Sequence, residues 1–184
     1  TLLERPEDNP FLDRFYADRP GYAFQVQLAF LFHRVRQLQE AAQRGMFGGP
    51  MVTDFVFAKD RLFAQMNLSD DEFRLYAPMY AQFEPQIPPP DLVIWLRAGT
   101  PTLLARIRTR GVASEQAIDA DYLDRLAAGY AEMFRTWTAA PVLVVGTEDF
   151  HPAARDADLD QLLAAMAALR GPRGSLHMPA PSPL

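Results

Sequence analysis

The 184-residue chain has no cysteine, which excludes disulfides, thiolate metal sites and thiol nucleophiles and fits a cytoplasmic protein. Lysine is nearly absent as well: Lys59 is the only one among 18 lysines and arginines. A Gly-x-x-x-x-Gly-Lys-Ser/Thr phosphate loop therefore cannot be written from these residues. Lys59 follows Phe57-Ala58, and Gly48-Gly49 reads as a turn because no Gly-Lys-Ser/Thr comes after it. The apolar runs are short and broken by charges, so no membrane span is expected, and no basic start with an apolar stretch and small-residue cleavage site marks a secretory signal. An excess of positive charge is lacking too. The net charge of −5 and pI near 5.2 argue against binding nucleic acid or a membrane surface. His33, His151 and His177 are too scattered for a metal or triad motif.

What is present suffices for one globular domain, since 49% of the residues are hydrophobic. Periodicity predicts a short helix over residues 11–16 and a long one over 21–44, with Phe24, Leu28, Leu31, Val35 and Leu38 on one stripe. A Gly-rich break over 45–50 leads to an apolar run, 51–56, which reads as a buried strand. Residues 59–66 read as a helix. Ser69 and Glu72 form a capping-box pattern opening another helix that runs to about Phe83. After a Pro-rich connector, residues 91–96 and 141–145 read as strands. Helices are expected over 102–110, 115–137 and 159–169. Residues 171–184, rich in Gly, Pro and Ser, read as a disordered tail. Apolar strands alternating with helices imply an α/β fold with a parallel sheet covered on both faces, in which ligands bind beyond the carboxyl ends of the strands. The polar residues at such places are Glu4, Asp54, Arg97 and residues 146–150.

Each of these has two readings. Glu4 is either a base for a substrate hydroxyl or a solvated strand-end carboxylate. Asp54, the only charge in its run, either holds magnesium or caps the next helix. Arg106 and Arg110 share a helix face ahead of Gly111. They either neutralise a transferring phosphoryl group or complement the helix dipole. Gln25, beside Phe24, either reads a base edge or is a surface glutamine.

The order of these features decides more than any one of them. The segments TLLERPEDNPFLDRFY, FQVQLAFLF, VTDFVFAKDRLFA, PDLVIWLRA, LLARIRTRGVASEQAIDADYL and PVLVVGTEDF resemble the bacterial branch of the deoxynucleoside kinases over residues 1–165. The resemblance implies a P-loop-kinase sheet of order 2-3-1-4-5 and transfer of the ATP γ-phosphoryl group, with Mg2+, to the 5′-hydroxyl of a deoxynucleoside in nucleotide salvage. Purines are preferred, because that branch includes deoxyadenosine and deoxyguanosine kinases. By position it makes Glu4 the catalytic base, and Arg106 and Arg110 lid arginines on the phosphates. Tyr16 is similar to the tyrosine that binds the 3′-hydroxyl, Phe24 and Gln25 to the pair on the base, and Phe63 to a base-pocket aromatic. Glu115 resembles the lid residue that reaches the sugar, and Glu148, Asp149 and Phe150 the loop on the adenine of ATP. Asp54 takes the place of the acid in the animal Glu-Arg-Ser motif, which makes it a candidate for substrate or metal; the arginine of that motif is missing here. Phe32 and Val112 replace other arginines, while Lys59-Asp60-Arg61 follows the bacterial pattern. A homodimer through long helices is implied, and the helix over 21–44 could serve as its interface.

Family members begin with a strand, a phosphate loop and a helix, in that order, ahead of the segment that opens this sequence. Thr1 is therefore expected not to be the native start, and the 184 residues alone are expected to be inactive. Without that strand, those at 51–56 and 91–96 would face a gap of about 10 Å. Two other readings share part of the pattern: a thymidylate-kinase-like nucleoside monophosphate kinase, and a non-catalytic nucleoside-binding relative.

Overall fold

The computed structural model describes residues 1–45 and 49–177. Met46, Phe47 and Gly48 of the expected Gly-rich break, and residues 178–184 of the expected tail, lie outside the described residues. The chain divides into two compact units, Thr1–Pro88 and Pro89–Leu184.

The first unit is helical: α1 (Leu12–Ala17), α2 (Arg19–Gly45), α3 (Ala58–Asn67) and α4 (Asp70–Phe83). The predicted stripe of α2 is its core face. Leu31, Val35 and Leu38 are buried with Phe55, Phe57, Ala64, Tyr76 and Tyr80, while Phe24 and Leu28 pack against that cluster. Helix α4 begins with the expected capping box, Ser69 and Glu72 each satisfying the other's backbone amide. The run 51–56 corrects its prediction. Among the described residues its only ladder contact is an isolated parallel bridge between Thr53 and Leu2, and Val52 is 68% exposed. Instead of continuing extended, the Thr53 hydroxyl donates to the Phe55 carbonyl, and Phe55 and Phe57 turn into the helical core.

The second unit is a parallel three-stranded sheet of order β1-β2-β3, with β1 at Val93–Arg97, β2 at Val142–Gly146 and β3 at Arg173–Leu176. Two helices, α5 (Thr100–Arg110) and α6 (Ala120–Arg135), connect β1 to β2; α7 (Asp156–Ala168) connects β2 to β3. Every residue of β2 is buried, as a central parallel strand requires. Leu143 and Val145 pack with Phe150 against Leu162, Met166 and Leu169 around α7. Trp95 of β1 meets Phe134 of α6, ring centroids 4.8 Å apart. The single helix expected over 115–137 is broken, because the Asp119 carboxylate takes the Tyr122 amide and so starts α6 afresh. The expected tail is corrected as well: Arg173–Leu176 pairs in register with Val142–Val145.

Candidate active site

In the first unit, Gln27 and Arg34 stand seven residues apart on α2, two turns along one face, and both are buried. Opposite them Asp60, in the first turn of α3, is 0% exposed. A carboxylate at that depth costs several kcal/mol unless its oxygens are matched (order of magnitude). They are. Oδ1 accepts from Gln27 Nε2 at 2.7 Å and from the Tyr76 hydroxyl at 2.5 Å, and Oδ2 accepts from the Arg34 guanidinium. Burial, then the Asp60 charge beside it, pushes the Tyr76 phenol well above its ordinary value, so it stays a donor.

Arg34 is shared. Its Nε donates to Glu4 Oε1 at 2.7 Å, and Lys59 Nζ donates to Glu4 Oε2 at 2.7 Å. Burial alone would raise the Glu4 carboxyl, but the Arg34 and Lys59 charges outweigh it and hold that carboxyl below its usual range. Arg34 answers in kind: burial pulls its guanidinium down, and Asp60 and Glu4 more than restore it. Glu4 is thus an ionised, oriented acceptor. Its backbone amide donates to Asp54 Oδ1 at 2.8 Å, which fixes the start of the chain against the loop ahead of α3.

The other predicted residues of this unit fall into place unevenly. Phe63 lies beside this cluster, with Lys59 Nζ 5.7 Å from its ring centroid. Tyr16 is half-buried on α1 with its ring edge-on to Phe15, and Phe24 packs on the helical core. Gln25 is exposed, a correction: the phase of α2 turns Gln27, two residues on, into the polar cluster in its place. Gln27, Arg34, Asp60 and Tyr76 were missed as site residues. The available signal was a glutamine and an arginine seven apart along a stripe that is otherwise apolar.

In the second unit a cavity of about 520 Å³ is lined by Thr102, Arg106, Arg110, Glu148 and His151, among others. Arg106 donates to the Thr147 hydroxyl at 2.9 Å and to its carbonyl, which occupies two of the five guanidinium N–H groups. Arg110 is paired with Glu115 at 2.7 Å and is more than half exposed. Glu148 Oε1 accepts from the Gly99 amide at 2.5 Å. Asp149 and Phe150 do not line this cavity. For Phe150 this is a correction: its ring is 3% exposed and belongs to the core around Leu143 and Val145. Among the described residues no three His, Cys, Asp or Glu side chains gather as a metal site, and no helix is long and apolar enough to cross a membrane.

A buried, cation-held carboxylate in one unit and an arginine-lined cavity in the other are found together in a sequence that the deoxynucleoside kinase family model matches over residues 2–167. The chain belongs to the deoxynucleoside kinase family. It is 34% identical over 150 residues to the deoxyguanosine kinase of Bacillus subtilis, covering 80% of this chain and 72% of that protein. With the deoxyadenosine kinase of Lactobacillus acidophilus it shares 28% identity over 159 residues, 79% of this chain and 72% of the relative. The solved deoxyadenosine kinase from M. mycoides with bound dATP superposes with a TM-score of 0.73 at 22% identity, over 90% of this chain and 84% of that one. At that identity the likeness establishes the fold, which is that of the P-loop kinases.

Proposed function

We propose that this protein transfers the γ-phosphoryl group of ATP to the 5′-hydroxyl of a deoxynucleoside, purines preferred, in deoxynucleotide salvage in the cytoplasm. The observation that carries this reading is Glu4: an ionised carboxylate whose two oxygens are aimed by Arg34 and Lys59. A 5′-hydroxyl presented to it donates its hydrogen bond to Oε1 or Oε2; the proton passes to the carboxylate as the hydroxyl oxygen gains its bond to the γ-phosphorus, and the bond from that phosphorus to the β,γ-bridging oxygen breaks to release ADP. Phe24 and Phe63 supply the base-facing surface, the buried Gln27 and Asp60 hold Arg34 in place, and Tyr16 reaches the sugar. Glu115 helps to place the sugar when the Arg110 pair opens. In the second unit Arg106 and Arg110 answer the phosphate charge, and Glu148 and Asp149 belong to the loop beside the donor. The purine preference is supported by the deoxyguanosine and deoxyadenosine kinases among the relatives.

Magnesium fits in a restricted way. Asp54 is exposed and spends Oδ1 on the Glu4 amide, so it could supply one carboxylate oxygen to an ion held mainly by phosphates and water, as Mg2+ usually is. Bound there, the ion would neutralise charge on the phosphates. A homodimer is part of the same reading; light scattering that finds a monomer at micromolar concentration removes it.

The test is the full-length gene product with γ-labelled ATP and each deoxynucleoside in turn, against the deoxynucleoside monophosphates. Labelled 5′-monophosphate from deoxyguanosine or deoxyadenosine is expected. Transfer to monophosphates alone, or none at all, would overturn the reading. The 184 residues contain no phosphate loop of the Gly-Lys-Ser/Thr type, and the same assay on them alone is expected to give no product.

A further inference from the structure

The loop after β2 is pinned at five consecutive residues, each by a different partner. Thr147 donates its amide and hydroxyl to the Arg97 carbonyl at 2.7 and 2.9 Å and is gripped by Arg106. Glu148 is spent on the Gly99 amide. The Asp149 carbonyl accepts from Arg155 at 3.1 Å. Phe150 is seated in the core, and its ring is capped by His177, centroids 4.6 Å apart. The His151 amide donates to the buried Asp158 carboxylate at 2.7 Å.

His177 and the strand that delivers it lie beyond residues 2–167, the span matched by the family model. β3 pairs with β2 over four register positions, and His177 then turns back in a left-handed conformation, φ 52°. Its Nε2 lies 2.9 Å from Gln161 Oε1 of α7, which sets the ring against Phe150. The segment past the matched span thus closes over Phe150, while Glu148 and His151 on either side of it line the cavity. Among the described residues no hydrogen bond, ion pair or ring contact claims the His151 imidazole, whereas Glu148, Arg106 and Arg110 around it are all engaged.

We propose that His151 is the side chain through which this cavity reads the base of the phosphoryl donor, a purine nucleoside triphosphate. In the same proposal, β3 and His177 fix that choice by holding Phe150 inward. A neutral imidazole offers one donor, one acceptor and an aromatic face, which suits the edge and the plane of a purine. The rigid loop holds the ring without an ordering cost on binding. The inference rests on the donor-side reading above.

In the full-length gene product, His151→Ala is expected to raise the KM for ATP about fivefold, the loss of roughly one hydrogen bond. The KM for the deoxynucleoside stays where it was, and His151→Gln recovers part of the ATP effect. An unchanged KM for ATP in His151→Ala overturns the proposal. His177→Ala is expected to speed hydrogen exchange at the amides of residues 147–151 and to weaken ATP; unchanged exchange overturns the part given to β3. A wild-type protein without phosphoryl transfer sinks only the kinase reading. The 13C-edited imidazole signal of His151 on adding ATP then decides separately: movement supports the proposal, and none overturns it.

Discussion

The two units hold their charges in opposite ways. In the first, Glu4, Arg34 and Asp60 are packed among Gln27, Tyr76 and Lys59, and each oxygen named in that network has a donor. In the second, Arg106 and Arg110 line an open cavity; Arg106 holds Thr147, and the exposed Arg110 has a partner it can exchange, a glutamate. Buried charges cannot change partners without passing through a costly unpaired state, while surface ones can. The first arrangement suits a group that must keep one position and one ionisation state. The second suits side chains that must close on a ligand's phosphates and let go again.

That contrast can be broken or sharpened by substitution. The largest effect is expected from Glu4→Gln, which should lower kcat by about 10²- to 10⁴-fold with little change in the KM for ATP, read by steady-state kinetics. Loss of ATP binding instead would erase the division of labour. Asp60→Asn should come next, destabilising the protein by about 3 kcal/mol in urea unfolding because Arg34 loses a buried counter-charge. Were Arg110→Ala to cost as much, the distinction between fixed and exchangeable charge would fail; an exposed pair is worth about 1 kcal/mol or less. Arg106→Met should raise the KM for ATP about tenfold, the loss of a charge-assisted contact, while leaving the nucleoside KM alone. Smallest is Ser69→Ala, which removes the cap of α4 far from both groups. It should cost roughly 1 kcal/mol of stability with unchanged kinetics.

The helices were legible because their information is local. The stripe on α2 and the Ser69–Glu72 box are written within a few residues, and both are found where they were expected. The buried strands β1 and β2 were legible as apolar runs. Residues 51–56 looked the same, but a strand is made by its neighbours, and among the described residues only Thr53 finds one. β3 was hidden for the converse reason: Gly171, Pro172 and Gly174 mark a loop by composition, and only pairing with β2 makes Arg173–Leu176 a strand. Gly174 lies against the ends of the Leu169 and Leu143 side chains, so a larger residue would make Leu169 shift, and the residue that looked like disorder packs on the core. Among the site residues, Glu4, Arg106, Arg110 and Glu148 fall in the polar cluster or the cavity. Gln25 and Phe150 do not. Helix phase settled the first, and a contact from 27 residues further along, His177, settled the second. Arg34 and Asp60 escaped because a charged side chain on a helix ordinarily faces water.

The cluster around Asp60 has one more property, which concerns its inheritance. Glu4 and Asp60 bring two negative charges and Arg34 and Lys59 two positive ones, so the group as a whole is electroneutral. A single substitution that alters any of the four leaves a net charge in a place with little water to screen it. Two opposite substitutions together leave none. The four positions should therefore tolerate change as compensated pairs far more readily than one at a time, and a glutamine at 4 should be easier to carry once Lys59 has also become neutral.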